Sequence, residues 1–268
     1  MPVTIIDDIT APRPRIGYNN IFATGTLSAS SEDTANDGYK ENATDWLTFT
    51  RWKTVGTGDH YLQSVGASQS LTYGFIFGHN LGTLGVGIKF QYSDDAGSNW
   101  TDLTATIYPS TSNECIYKIW DAVNGGYVRA VIVGVTGTDQ AEIGVCLMGW
   151  DMVCERGLAP GASTPFQNDD SYIYNPMTQG GQDLPRSIIR RGFKFPISLM
   201  SVSENWFRNN WLPFQEHALK YPFAYMPIPT VNPLEIVYGK LANKAPKSVF
   251  SQTMYVTITA NCDGRWLS

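Results

Sequence analysis

Charge is scarce in this sequence. Asp, Glu, Lys and Arg together make up 16% of 268 residues, with a net charge of −5. Phosphate backbones recruit clusters of Lys and Arg. The one basic grouping, Arg186 with Arg190 and Arg191, is too small for that, so nucleic acid is excluded as a partner and the grouping is read as part of a loop or interface. Histidine is rarer still, with His60, His79 and His217 alone, and none has a second histidine at metal-ligand spacing. His79 follows an apolar stretch within Gly78–Gly82 and is read as a turn residue bonded to nearby backbone. The four cysteines, Cys115, Cys146, Cys154 and Cys262, form no CxxC pair and are read as buried thiols. A metal or cluster built from cysteines distant in sequence stays open at this level.

Other absences narrow the function. The N-terminus, MPVTIIDDIT, lacks the basic and apolar regions of a signal peptide, and no apolar run approaches the ~20 residues of a membrane helix. The expectation is a soluble protein made in the cytoplasm, without membrane insertion. GxSxG is missing, and the glycines of Gly82–Gly87 flank a strand with no helix to cradle a phosphate. The carboxylate pairs Asp94–Asp95 and Asp169–Asp170 are adjacent on turns, where side chains point apart and stay solvated; at most their oxygens suit calcium. No catalytic residue, cofactor or metal site is assigned, and the chain is expected not to be an enzyme.

What is plentiful is aromatic and apolar surface. Aromatics reach 13%, with 8 Trp and 14 Tyr, and hydrophobic residues 43%. Such a chain buries a real core, and with so few charges part of its aromatic surface is expected to face another subunit. Residues 1–15 are polar and punctuated by Pro12 and Pro14, and read as an extended arm. Residues 16–154 show short β-branched and aromatic runs separated by Gly, Asp, Asn and Ser. Within Val86–Tyr92 the apolar residues recur at every second position, the period of a half-buried strand. Asp94–Asn99 reads as a turn. Regular short strands of this kind predict a β-sandwich. Residues 155–184, rich in Gly, Pro, Asn and Asp, read as a linker or long loop. Residues 185–268 read as a C-terminal β segment with one helix near 203–220. Phe207, Trp211, Phe214 and Ala218 mark one helical face, Ser203 is placed to cap it, and Pro213 is expected to kink it or start a second helix. Met254–Thr259 reads as a strand with Met254, Val256 and Ile258 on one face.

Several of these stretches carry a family likeness. Ala29-Ser30-Ser31-Glu32, Glu41-Asn42-Ala43 with Asp45 and Thr50-Arg51-Trp52, the Tyr92–Thr101 hairpin, Tyr127–Ile132 and Ile143–Gly149 resemble segments of discoidin domains (F5/8 type C, galactose-binding-like). The fold class this implies is mainly β: a discoidin-like jelly-roll sandwich followed by a smaller β-rich segment with one kinked helix. Gly181 with Pro185-Arg186, then Trp206–Arg208, Trp211–Phe214, His217-Ala218 and Tyr221–Tyr225, resemble chains from tailed bacteriophages encoded near tail-tip or baseplate genes. That resemblance implies a structural protein of the virion, a distal or minor tail protein in a homo-oligomeric ring with other phage tail proteins as partners. The interface residues it suggests are Trp206, Phe207, Trp211, Phe214, Phe223 and Tyr225. The alternative is a lectin-like module that recognises a host-surface glycan. Loops 36–40 and 56–60 would then supply Tyr39 and His60 at the sandwich rim, although no ligand residue carries over by motif.

Overall fold

A computed structural model describes residues 13–109, 115–170, 172–179, 181–190, 192–229, 235–242, 244–250 and 254–265. Most of the expected arm, residues 1–12, lies outside them. The chain is mainly β. Its strands are β1 Arg15–Gly17, β2 Thr26–Ala29, β3 Trp52–Lys53, β4 Gly58–Phe77, β5 Gly87–Ser93, β6 Thr101–Asp102, β7 Ile116–Val135, β8 Glu142–Ile143, β9 Val145–Gly149 and β10 Asp151–Val153, then β11 Tyr172–Tyr174, β12 Ser187–Arg190, β13 Gly192–Ser203, β14 Phe223–Met226, β15 Val237–Leu241, β16 Lys247–Phe250 and β17 Tyr255–Arg265.

The sandwich is built on two long strands. β4 and β7 pair antiparallel along their length, with register breaks at Val65/Gln69 and Leu71/Tyr73. Bulges bend a strand and increase its twist. The first half of β4 and the second half of β7 lie in a sheet ordered β2-β4-β7-β5-β6, and β9 joins the far half of β4. Between the two layers, Leu62, Ile88, Phe90, Val128, Ala130 and Ile132 meet Leu71, Ile76, Ile116, Cys146 and Met148. The fit is close: a Cβ on Gly74 would stand 2.7 Å from the Phe90 ring.

A second sheet, ordered β10-β1-β14-β15-β17-β13, packs on the back of this sandwich. Tyr73, Phe75, Phe77, Tyr117, Val145 and Leu147 share a core with Ala224, Met226, Ile236 and Tyr238. Strands covered on both faces carry unbroken apolar runs instead of alternation, which is why all of β9 and all of β14 are buried. A buried carboxylate joins the halves: Asp151 of β10, paired with Arg15 Nε of β1 at 2.9 Å, accepts from Thr72 Oγ1 of β4 at 2.6 Å. Segment 155–170 runs beside the edge of β13, where Ala159 N donates to Ser198 O and Asp170 N to Gly192 O.

On the outer face of the second sheet lies the helix. It runs as an α-turn Glu204–Trp206, a π-turn Phe207–Trp211 and an α-helix Leu212–Ala218. Ser203 caps it, its hydroxyl accepting from Trp206 N at 3.2 Å. Pro213 has no N–H to continue the ladder, and the ladder slips: Leu212 N–H bonds Phe207 O, five residues back. The expected face is buried, as Phe207, Trp211, Phe214 and Ala218 all join the second core. One strand expectation shifts. β17 starts at Tyr255, and Met254 stands outside it at φ 86° and 72% exposed, because the turn before the strand takes it out of register with Val256 and Ile258.

Candidate functional site

Period-two alternation decides what the outer sheet shows to solvent. Leu62 and Ser64 of β4, Ile88 and Phe90 of β5, and Val128, Ala130 and Ile132 of β7 are buried. Their sequence neighbours therefore take the opposite face. Register then aligns them. Ser28 on β2 pairs Gln63 on β4, Gln63 pairs Arg129 on β7, Arg129 pairs Gln91 on β5, and Gln91 pairs Asp102 on β6. The result is an unbroken polar row across five strands, about 19 Å long at about 4.8 Å per inter-strand step.

Arg129 sits at its centre. Its Nε donates to Gln91 Oε1 at 2.5 Å, Gln91 Nε2 donates in turn to Asp102 Oδ1, and Lys89 Nζ lies 3.1 Å from that carboxylate. The guanidinium lies 4.0 Å from the centroid of the Trp100 ring and 5.6 Å from that of Tyr61. Both are cation–π contacts, which gain strength where water is excluded. Partial burial pulls the Arg129 pKa down, with the Tyr61 and Asp102 charges opposing it. Asp102 is held below its ordinary range: burial pushes it up, but the bonds from Gln91 and Lys89 outweigh that.

The Asp94–Asn99 turn is what places Trp100. Asp95 accepts from Ser93 Oγ at 2.6 Å, from Asn99 N at 2.8 Å and from Asn99 Nδ2 at 2.5 Å. Those bonds, the Ser93 hydroxyl first, lower its pKa to about 2. Gly97 closes the turn at φ +86°, where a Cβ would stand 3.5 Å from the Tyr127 ring and 3.7 Å from Trp100. Asp95 is thus committed to holding the turn.

The rim residues named from sequence are not brought together. His60 is 6% exposed, with Nδ1 2.9 Å from Ser31 Oγ and Nε2 3.1 Å from Gly56 O, so the ring ties two loops to each other. Tyr39 is 41% exposed beside the Lys40–Glu32 ion pair, and no hydrogen bond or ring contact joins it to His60 among the described residues. The suggested interface residues lie inside the chain. Phe207, Trp211, Phe214, Phe223 and Tyr225 are buried in the second core and Trp206 packs against it. Side chains already covered have little surface left for a partner. His79 accepts from Leu81 N at 3.3 Å, as a turn residue does. Cys146, Cys154 and Cys262 are buried and Cys115 partly so, with no disulfide among them. Among the described residues no group of three or more His, Cys, Asp and Glu is arranged to hold a metal, and no helix is long and apolar enough to cross a membrane.

Sequence reasoning missed two surfaces. One is the polar row, whose members lie far apart in the chain. The other is the hairpin β11–β12, a sheet of its own. Tyr172, Ile173, Tyr174, Met177, Leu184 and Ile188 are exposed on or beside it. The run Tyr172-Ile173-Tyr174, three large apolar residues together in an otherwise polar segment, is the signal that could have found it.

No family model matches the sequence, and no curated protein matches it. Among solved structures, the chain is similar to a pectin-binding carbohydrate-binding module (20% identity, TM-score 0.40, covering 47% of this chain and 89% of the module). It is also similar to chitosan-binding module 1 of a chitosanase/glucanase from Paenibacillus sp. IK-5 (21%, TM-score 0.41, covering 49% and 99%). A third is a Clostridium perfringens module solved with GalNAc-β-1,3-galactose (18%, TM-score 0.42, covering 48% and 98%). Likenesses this distant carry no argument about function.

Proposed function

We propose that this chain is a non-catalytic glycan-binding protein and that the glycan lies across the outer sheet at Arg129. One observation carries the reading: a five-strand row of Ser28, Gln63, Arg129, Gln91 and Asp102, flanked by the Trp100 and Tyr61 rings. Sugars offer hydroxyls in fixed directions and apolar C–H faces. Planar amides, a guanidinium and a carboxylate satisfy the first, and aromatic rings cover the second. A row about 19 Å long, in which Gln91 is buried and Ser28, Gln63, Arg129 and Asp102 reach solvent, suits an oligosaccharide better than a single ring. Screening the purified protein on a glycan array, then measuring the best ligand by calorimetry, tests the idea. Binding that falls at least about tenfold in Trp100→Ala, with unfolding unchanged beyond a few degrees, is the expected result. A flat array, or binding indifferent to Trp100, refutes it.

A second reading is assembly, as a subunit of a homo-oligomeric ring in a phage tail, located in the virion after synthesis in the host cytoplasm. The exposed apolar hairpin favours it. Isolated two-stranded hairpins are marginal in water, and Tyr172, Ile173 and Ile188 leave apolar surface uncovered. A second copy of the chain is the expected occupant, and a head-to-tail contact whose rotation closes gives a ring. Light scattering across a concentration series should show a discrete multimer that Ile173→Asp with Ile188→Asp dissolves. A persistent monomer counts against this reading and leaves the first untouched.

A further inference from the structure

We infer that the glycan recognised by this face carries a carboxylate, as a uronic acid does, seated on the two terminal nitrogens of Arg129. This rests on the glycan reading above and adds the class of ligand.

The charges of the face set the case. Lys89 is answered by Asp102 at 3.1 Å. Arg129 makes no direct ion pair: no carboxylate of the described residues lies within ion-pairing distance of it, its Nε bond goes to the neutral amide of Gln91, and the Asp102 charge reaches it only from beyond that amide. The guanidinium is nevertheless partly buried. Partial burial weakens the hydration of that cation, so a counter-ion brought to it is favoured. The Trp100 and Tyr61 rings offset part of that loss, yet a ring face gives no acceptor to an N–H. With Nε committed, the two Nη groups make no hydrogen bond to the described chain. Together they form the planar fork that matches the two oxygens of a carboxylate.

The surroundings favour a sugar acid over a bare anion. Gln63 stands directly across the register from Arg129 on one side and Gln91 on the other. The Gln63 amide can bond a ring hydroxyl flanking the acid group, while Gln91, its oxygen bonded to Arg129 and its nitrogen to Asp102, fixes the guanidinium in place. Asp102 and Lys89 satisfy each other at one end of the row, which leaves no unpaired cation there for a second acid group. The seat is therefore for one carboxylate in the middle of the site.

The test compares oligogalacturonate and oligomannuronate of four to six residues (roughly the length of the row) with their carboxyl-reduced, neutral counterparts, using the full chain and calorimetry. The acidic form of at least one pair should bind about tenfold more tightly than its reduced form, since charge-assisted bonds exceed neutral ones by about that factor. The preference should shrink as salt rises from low ionic strength toward about 1 M. Arg129→Gln should abolish the preference, so that acidic and reduced oligomers bind alike, and Arg129→Lys should restore part of it. The salt dependence of the unmodified protein decides the matter even if the Arg129 variants fail to fold. Equal binding of acidic and reduced forms overturns the carboxylate seat and leaves glycan binding standing. Binding of neither, with a glycan found elsewhere on the array, also overturns the seat. No glycan bound at all overturns both readings.

Discussion

Phe75→Ala is the substitution that tests the architecture most directly. Phe75 is fully buried on the back of the sandwich, in the core shared with β14 and β15. Its ring stacks at 6.3 Å on Phe77 and at 6.0 Å on Tyr238, and meets Tyr117 edge-on at 6.0 Å. Removing a buried phenylalanine costs about 3–5 kcal/mol through lost transfer energy and the cavity left behind. The three ring contacts, worth about 0.5–1.5 kcal/mol each beyond burial, place this site toward the upper end of that range. At about 2–4 °C per kcal/mol for a chain of this size, the melting temperature should fall by about 8–20 °C. The informative part is which portion of the chain melts. Tyr238 belongs to the second sheet, so the hole opens under both halves. Scanning calorimetry with circular dichroism should record one transition, displaced as a whole. Two transitions, with only the earlier one moved, would refute the view that the sandwich and the C-terminal sheet fold through a common core.

Further outcomes follow from individual contacts. The Asp95 pKa is lowered to about 2 in the fold from 3.8. The turn is therefore fully held above about pH 4 and loosens as pH falls toward 2, which the indole N–H resonance of Trp100 should report; no movement of that resonance between pH 5 and 2 would contradict it. Ser203→Ala removes the helix cap and the partner of Glu155, bonded to the Ser203 hydroxyl at 2.8 Å. A loss of about 1–2 kcal/mol in urea unfolding is expected, with the helix retained. Burial pushes the thiols of Cys146, Cys154 and Cys262 well above their ordinary range. These three should resist a maleimide reagent in the native protein and react once it is unfolded, and rapid native labelling of any of them would expose an error in the packing.

Much of the secondary structure was legible because the local signals are strong. The alternation in Val86–Tyr92 became β5, and the spacing of Phe207, Trp211, Phe214 and Ala218 became the buried helix face, capped where Ser203 predicts. Pro213 was read as a kink or a new start, and the π-turn before it is how the helix takes both courses at once. The aromatic surplus was harder to place. Trp211, Phe214, Phe223 and Tyr225 satisfy their burial inside the chain, because a second sheet supplies the cover that a partner subunit was expected to give. Composition counts apolar surface without saying which chain covers it. The polar row was invisible for a different reason. Ser28, Gln63, Gln91, Asp102 and Arg129 are scattered over a hundred residues, and only strand register lines them up. His60 shows the converse: a rare residue in a loop attracts a functional reading, and here both its nitrogens are spent on holding two loops together.

The arrangement of layers bears on where binding can occur. A two-layer sandwich has two outward sheet faces. Here the back layer gives its outward side, Tyr73, Phe75, Phe77 and Tyr117, to the core shared with β14 and β15. A glycan cannot lie there without parting the halves. The front layer keeps its outward side, and that side carries Arg129, Gln63 and Tyr61. The hairpin β11–β12 belongs to neither layer of the sandwich, pairing only within itself. Contacts made through the hairpin therefore need not touch the face at Arg129. A chain built this way can be held by its neighbours through one surface while presenting the other, so the assembly reading and the glycan reading are compatible rather than rival, and each stands or falls on its own measurement.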